Sequence, residues 1–165
     1  MPPGSFPRPF PEKIVSGGQT GVDRAALDAA LALGLPRGGW CPKGRRAEDG
    51  VIPERYPVAE TESDAYEERT RLNVGDADAT LILASGPLSG GTGLTAETAE
   101  AEGKPLLVAD PLTSSPDPQA VADWLAENRV RVLNVAGPRE STQPGIYQAA
   151  ADFLTQVLAL TRRPS

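Results

Sequence analysis

Two glycine-rich segments combine the residue types and the spacing that suit ligand-binding chemistry. The first, Gly17–Asp23 (GGQTGVD), follows the short apolar segment Lys13–Ser16 and precedes the Ala/Leu-rich segment Arg24–Leu33. A strand, a glycine turn and a helix start in that order can hold an anion, because glycine lets a ligand approach the backbone and the first helical N–H groups have no partners. The pattern favours an anion-binding turn over the alternative, a tight turn in which Thr20 or Asp23 caps the helix.

The second glycine-rich segment, Ser85–Thr95 (SGPLSGGTGLT), has the same setting. It follows Ala79–Ala84, a run typical of a fully buried parallel strand, and it precedes a predicted helix, Ala96–Glu102. Thr92 and Thr95 add hydroxyl donors near the start of that helix. The first segment does not have the spacing of the dinucleotide fingerprint, and no P-loop occurs in the chain. The indication of a binding site therefore comes from the presence of two such turns.

The composition of the chain excludes several kinds of chemistry. Its 165 residues suffice for one domain with a core, and the absence of histidine excludes histidine triads, general bases and metal ligands. Cys41 is the single cysteine, which excludes an internal disulfide and a cysteine metal cluster, and we interpret it as a small apolar residue. The net charge of -6 argues against nucleic acid or an anionic membrane as a partner, and no apolar run is long enough to span a bilayer. We therefore expect a cytoplasmic protein without a metal site.

Strand-like and helix-like segments alternate from residue 13 to residue 161. This alternation predicts a single α/β domain with a Rossmann-like doubly wound parallel sheet, the strand order 3-2-1-4-5-6 and helices on both faces. In that order the first and fourth strands are neighbours, so both glycine turns flank the crevice where ligands bind. Residues 1–12 are predicted to form a Pro-rich N-terminal arm. The predicted strands are Lys13–Ser16, Arg37–Cys41, Pro57–Thr61, Ala79–Ala84, Leu106–Ala109 and Val130–Ala136.

Basic residues occur at the turns and helix starts of this predicted fold. Arginine suits bidentate recognition of phosphate or carboxylate, whereas lysine acts more as a point charge. The segment Lys43–Arg46 directly follows a predicted strand end, although Glu48 and Asp49 beside it are able to neutralise it. The basic candidates for anion binding are Arg24, Lys43, Arg45, Arg46, Arg69 and Arg139.

Five segments together resemble those of the putative molybdenum carrier family, part of a wider group of Rossmann-like proteins related to LOG and DprA. The segments span nearly all of the predicted domain, and they are specific only in combination. They are Gly17–Ala30 (GGQTGVDRAALDAA), Gly38–Gly50 (GGWCPKGRRAEDG), Tyr66–Val74 (YEERTRLNV), Leu88–Thr95 (LSGGTGLT) and Asn134–Ser141 (NVAGPRES).

The resemblance implies a homo-oligomer, a tetramer or a dimer, that binds the molybdenum cofactor (molybdopterin) or a related small phosphorylated ligand. A carrier of this kind needs no catalytic group, and it holds an anionic pterin phosphate between the two glycine turns. The binding residues that the resemblance implies are Gly17, Gly18, Gln19, Thr20, Gly21, Arg24, Lys43, Arg45, Arg69, Asn73, Gly90, Gly91, Thr92, Thr95 and Arg139.

Two other functions stay open at this point. LOG proteins cleave nucleoside monophosphates at the N-glycosidic bond with an arginine and the glutamate of a P-G-G-x-G-T-x-x-E turn, which would make Arg69 and Glu97 catalytic here. The match is incomplete, because Ser89 stands where that turn has proline and Leu94 stands where it has threonine. A nucleotide or ADP-ribose sensor is the second alternative, because it would keep both glycine turns without a catalytic carboxylate. A dehydrogenase is disfavoured, since only Lys43–Arg46 lies near the position of the expected acidic ribose contact.

Overall fold

A computed structural model describes residues 9–162 of the chain. The strands in this part are β1 (Lys13–Val15), β2 (Arg37–Gly38), β3 (Trp40–Cys41), β4 (Arg46–Ala47), β5 (Gly50–Val51), β6 (Ala59–Glu60), β7 (Ala79–Leu83), β8 (Leu106–Ala109) and β9 (Val132–Ala136). The helices are α1 (Val22–Ala32), α2 (Tyr66–Asp76), α3 (Gly90–Ala101), α4 (Pro118–Glu127) and α5 (Ile146–Thr161).

The central sheet is parallel and has five strands in the order β2-β1-β9-β7-β8. The predicted α/β fold class is confirmed, but the predicted strand order is wrong, because the last strand lies between β1 and β7 instead of at an edge. Asn134 of β9 pairs with Val15 on one side and with Thr80 on the other. Burial explains the difference: the middle of β9 is fully buried, whereas Val108 of β8 is 40% exposed, as suits an edge strand.

Gly39 divides the predicted second strand, Arg37–Cys41, into two short strands. Its φ angle is +128°, and a Cβ atom at this position would lie 2.1 Å from the carbonyl oxygen of Ser16. Because only glycine fits there, the chain changes direction after β2, which pairs with β1, and continues as β3, which pairs with β6. The strand predicted at Pro57–Thr61 therefore belongs to a separate two-stranded sheet, and β4 and β5 form a small antiparallel pair.

The two faces of the central sheet differ in chemistry. Helices α1, α4 and α5 pack together with the main apolar core, to which β7 and β9 contribute alternate residues such as Leu81 and Leu133. Helices α2 and α3 pack together over the other face, where Thr80 and Asn134 occupy the intervening strand positions. On that side the helices bury polar side chains, namely Thr70, Asn73, Thr92 and Thr95. A polar interface of this kind leaves room for a polar ligand.

Helix α3 begins at Gly90, six residues before its predicted start at Ala96. Ser89 has extended backbone angles at the N-cap position, so the glycines that follow it form the first helical turn instead of a loop before the helix. The backbone amides of the second glycine-rich segment are consequently the N-terminal amides of α3. This earlier start of α3 determines which backbone amides the site can offer to a ligand.

Most of the Pro-rich arm predicted for residues 1–12 lies outside the described residues. Within the described part, Glu12 forms an ion pair with Arg131, with 2.9 Å between Oε2 and Nε, and Pro11 accepts a hydrogen bond from Arg162. None of the helices in residues 9–162 is long and apolar enough to cross a membrane.

Candidate ligand-binding site

A cavity of about 440 Å³ opens at the carboxyl ends of β1, β7 and β9. It is lined by the loop after β1, the first turns of α2, the loop between β7 and α3 with the start of α3, and the loop after β9. Its volume lies in the range of small-molecule sites. Both glycine-rich segments reach it. The predicted binding residues in its lining are Gly17, Gln19, Arg69, Asn73, Gly90, Gly91, Thr92, Thr95 and Arg139.

The start of α3 presents unpaired hydrogen-bond donors to this cavity. The side chain of Ser89 makes no capping bond, and the first turn of the helix contains no acidic residue. Within the described part of the chain, nothing accepts a hydrogen bond from the amides of Gly90, Gly91 and Thr92 or from the Thr92 hydroxyl. Since the positive end of the helix dipole adds to these donors, the start of α3 can hold an anion.

The first glycine-rich segment is organised differently, because one of its amides already binds a carboxylate of the chain itself. The amide of Gln19 donates to Asp23 Oδ2 at 3.2 Å. The amide of Val22, at the start of α1, donates to the carbonyl oxygen of Pro138 at 3.2 Å. Asp23 therefore occupies the position in which we expected a ligand phosphate.

Asp23 is buried, and its charge is sensitive to pH. Burial raises the pKa of its carboxyl from the ordinary 3.8 to about 6, while the nearby Arg69 guanidinium and the amide of Gln19 offset part of this rise. Arg69 NH1 lies 3.6 Å from Asp23 Oδ2. The cavity wall thus contains a group that changes its charge not far below neutral pH.

Two arginines in the cavity lining have different surroundings. The side chain of Arg69 is 13% exposed, donates to the carbonyl oxygen of Gly17 at 3.2 Å and lies over the ring of Tyr66. The side chain of Arg139 is 51% exposed, and its Nε lies 3.7 Å from Oε1 of Glu48. Arg69 therefore compensates the buried Asp23, and Arg139 is the cation that is more available to a ligand.

Six of the predicted binding residues lie outside the lining of the cavity, namely Gly18, Thr20, Gly21, Arg24, Lys43 and Arg45. Gly21 has a φ angle of +77°, and a Cβ atom there would lie 2.4 Å from the carbonyl oxygen of Pro138. The Thr20 hydroxyl donates to Glu48 and accepts from the amide of Glu140. These contacts join the first glycine turn to the loop after β9.

The basic residues outside the cavity are engaged with the chain or exposed. Arg24 is buried and forms a bidentate ion pair with Asp49, at 2.6 and 2.8 Å, and it donates to Gly18 at 3.0 Å. Lys43 is exposed. Arg45 donates to four backbone carbonyl oxygens at 2.8–3.2 Å and so holds its own loop together. These acceptors belong to Ile52, Pro53, Tyr56 and Val58.

Glu97 is exposed on α3 and lies in a shallow groove beside Arg71 of α2, outside the cavity. The structure therefore does not bring Glu97 and Arg69 together in the cavity, as LOG-type catalysis would require. Asp23 and Glu67 are the carboxylate residues of the cavity lining within residues 9–162. In the same part of the chain, no three His, Cys, Asp or Glu side chains are grouped to hold a metal ion.

Sequence reasoning missed several polar residues of the cavity. Asn134 interrupts the apolar strand segment Val130–Ala136, and a polar residue in the middle of a buried strand is a signal that could have identified it. Gln143 carried no comparable signal. Its side chain donates to the carbonyl oxygen of Ser85 at 2.6 Å and accepts from the Ser85 amide at 3.1 Å, which ties two lining loops together.

Comparisons with known proteins agree with this architecture. The family described as "Circularly permutated YpsA SLOG family" matches residues 14–158 of the chain. Among solved structures, "Putative molybdenum carrier protein" from Syntrophus aciditrophicus SB is 45% identical, with a TM-score of 0.86 over 92% of this chain and 97% of that chain. No curated protein matches.

The contacts of Arg45 predict that it stabilises the fold. We expect Arg45→Ala to lower the free energy of unfolding by about 2 to 4 kcal/mol, because four carbonyl acceptors lose a charged donor. Arg46→Ala is the matched control: its exposed side chain makes one ion pair, with Asp64, and its loss should change stability by less than about 0.5 kcal/mol. Urea denaturation followed by circular dichroism measures both values. Equal stabilities of the two variants would contradict this role.

The raised pKa of Asp23 predicts a pH dependence of stability. The folded chain binds the Asp23 proton more tightly than the unfolded chain, so the contribution of this proton to stability is complete below the unfolded pKa of 3.8 and is lost as the pH rises through about 6. Relative to Asp23→Asn, the native chain should lose about 2 to 3 kcal/mol of unfolding free energy between about pH 4 and about pH 7. Urea denaturation of both chains across this range provides the test, and parallel pH profiles would refute it.

Proposed function

Since the chain belongs to the circularly permutated YpsA SLOG family, we propose that it is a binding protein that holds a phosphorylated heterocycle in the cavity between its two glycine-rich segments. The observation that carries this proposal is the unpaired N-terminus of α3, which borders the cavity of about 440 Å³. An anionic group of the ligand supplies the acceptors that the helix start lacks.

The proposed binding mode places a single phosphate at the start of α3. The amides of Gly90, Gly91 and Thr92 and the Thr92 hydroxyl donate to it, and Arg139 contributes positive charge. The first glycine turn is less suited to a phosphate, because its Gln19 amide binds Asp23 and a second phosphate beside that carboxylate would meet a like charge. This arrangement favours a monophosphate over a diphosphate.

The cargo that we propose is the molybdenum cofactor, a pterin with one phosphate group. Three observations support it: the 45% identity to a protein named as a putative molybdenum carrier, the anion position at the start of α3, and the apolar stretch of the lining that includes Pro87, Leu88 and Leu94. An apolar wall excludes water from the ring system and so shields an oxygen-sensitive dithiolene. The homo-oligomer implied by the resemblance belongs to the same proposal.

Hydrolysis of a nucleoside monophosphate has less support than the role of a carrier protein. The glutamate of the LOG-type reaction corresponds to Glu97, which is exposed in the groove beside Arg71. A general acid or base must come within hydrogen-bond reach of the reacting group, and a side chain outside the cavity does not meet this condition. A sensor that binds a nucleotide unchanged would use the same cavity, so the experiment below includes nucleotides.

Gly91→Val tests the proposed binding mode. A Cβ atom at Gly91 meets no atom within 4 Å, so the fold accepts a side chain there, but the side chain occupies the space next to the α3 amides. We expect at least about a 10-fold loss of ligand affinity, with a change in unfolding free energy of less than about 1 kcal/mol. Gly75→Val is the matched control, because Gly75 is also a helical glycine and lies outside the cavity.

Anaerobic native mass spectrometry provides the measurement for the native chain, Gly91→Val and Gly75→Val. Each is mixed with molybdenum cofactor and with a set of nucleoside monophosphates. An intact pterin adduct on the native chain and on Gly75→Val, but not on Gly91→Val, supports the carrier and gives the number of subunits. Intact nucleotide adducts support the sensor, release of free base supports the hydrolase, and equal binding by Gly91→Val contradicts the binding mode.

A further inference from the structure

We propose that Asn134 selects the ligand of this cavity by accepting a hydrogen bond from a ring N–H or amino group of the bound heterocycle. This inference rests on the proposed function and makes it more specific, because it names the chemistry of the ligand part that lies away from the phosphate. Its basis is a side-chain amide whose oxygen opens onto the cavity and receives no hydrogen bond from the chain.

Asn134 lies in the middle of the central strand, β9, between its partners Val15 and Thr80. The residue is 2% exposed and lines the cavity. Its Nδ2 donates to the Thr80 hydroxyl at 3.3 Å. No residue in the described range 9–162 donates to its Oδ1, and because no fully buried side-chain oxygen in that range lacks a partner, this atom is accessible from the cavity.

An acceptor that opens onto a cavity can receive a hydrogen bond from a ligand, and a ligand that covered it without donating would leave it buried and unpaired. The neighbouring residues Leu133 and Val135 point into the apolar core, and the alternation of the strand places Asn134 on the α2–α3 side, where the cavity lies. An aliphatic residue at this position would need no hydrogen-bond partner. The free oxygen is therefore a group that a ligand can use.

A second acceptor in the buried part of the lining is the carboxylate of Asp23, which is 6% exposed. The exposed residues Gly90 and Gly91, at the start of α3, offer backbone donors. The acceptors of Asn134 and Asp23 and the donors at the start of α3 favour a ligand of matching polarity. Such a ligand has an anion at one end and N–H donors at the other, as in an amino-substituted purine or pterin monophosphate.

The test compares pairs of monophosphates that differ in their ring N–H groups. Guanosine and adenosine 5′-monophosphate are compared with purine riboside 5′-monophosphate, and 6-hydroxymethylpterin phosphate is compared with its pteridine analogue without ring N–H or amino groups. Isothermal titration calorimetry gives the affinities for the native chain, Asn134→Leu and Asn134→Asp. Asn128→Leu, an exposed substitution after α4, is the control.

The native chain and Asn128→Leu should prefer the N–H-bearing member of the pair by at least about 10-fold, since rejection of the analogue reflects a lost hydrogen bond in a buried site. Asn134→Leu should lose this preference and still bind the analogue as the native chain does. Asn134→Asp keeps an acceptor and should keep the preference, and loss of the preference in this variant would overturn the role of Asn134 even where Asn134→Leu fails to fold.

The failures of the two proposals are distinguishable. Binding of these monophosphates by the native chain without an N–H preference, or an unchanged preference in Asn134→Leu, overturns the role of Asn134 and leaves the proposed function in place. Binding of none of the pterin and purine monophosphates by the native chain overturns the proposed function and, with it, the role of Asn134.

Discussion

The pairing of β9 with β1 on one side and β7 on the other determines where the loops of the site meet. All three strands are parallel, so their carboxyl ends lie at one edge of the sheet, and the two glycine-rich segments reach that edge beside the loop after β9. Close backbone approach holds these loops together: Gly21 has no room for a Cβ atom against Pro138, and the Gln143 amide bonds both backbone groups of Ser85. The cavity depends on this central strand more than on either glycine segment alone.

The residues of β9 alternate between the apolar face and the polar face of the central sheet. Leu133 and Val135 belong to the core under α1, α4 and α5, and burial of such side chains contributes about 1.5–3 kcal/mol each. Asn134, between them, faces the side of α2 and α3, where most of the buried polar side chains lie. Because the first face carries the hydrophobic core, the second face is free to retain a polar cavity at little cost to stability.

The sequence predicted the α/β class, most of the elements and the two glycine-rich segments, because periodicity and glycine turns are local properties. It did not predict that β9 lies between β1 and β7, since the order of strands follows from how completely each is buried. It also suggested Arg45 as an anion ligand, whereas four carbonyl oxygens engage its guanidinium. Whether an arginine side chain faces a cavity or its own loop depends on the path of the folded backbone. The residue type alone does not reveal that path.

Charge balance explains why two similar glycine turns have different capacities. In the first, Asp23 accepts from the Gln19 amide, and Arg69 NH1 lies 3.6 Å from Asp23 Oδ2, so that this part of the wall is internally compensated. In the second, the start of α3 has no carboxylate, and the half-exposed Arg139 lies in the same lining. A single bound anion therefore completes the charge pattern of the cavity, and a second anion at the first turn would meet the like charge of Asp23. One turn serves the fold, and the other is available to a ligand.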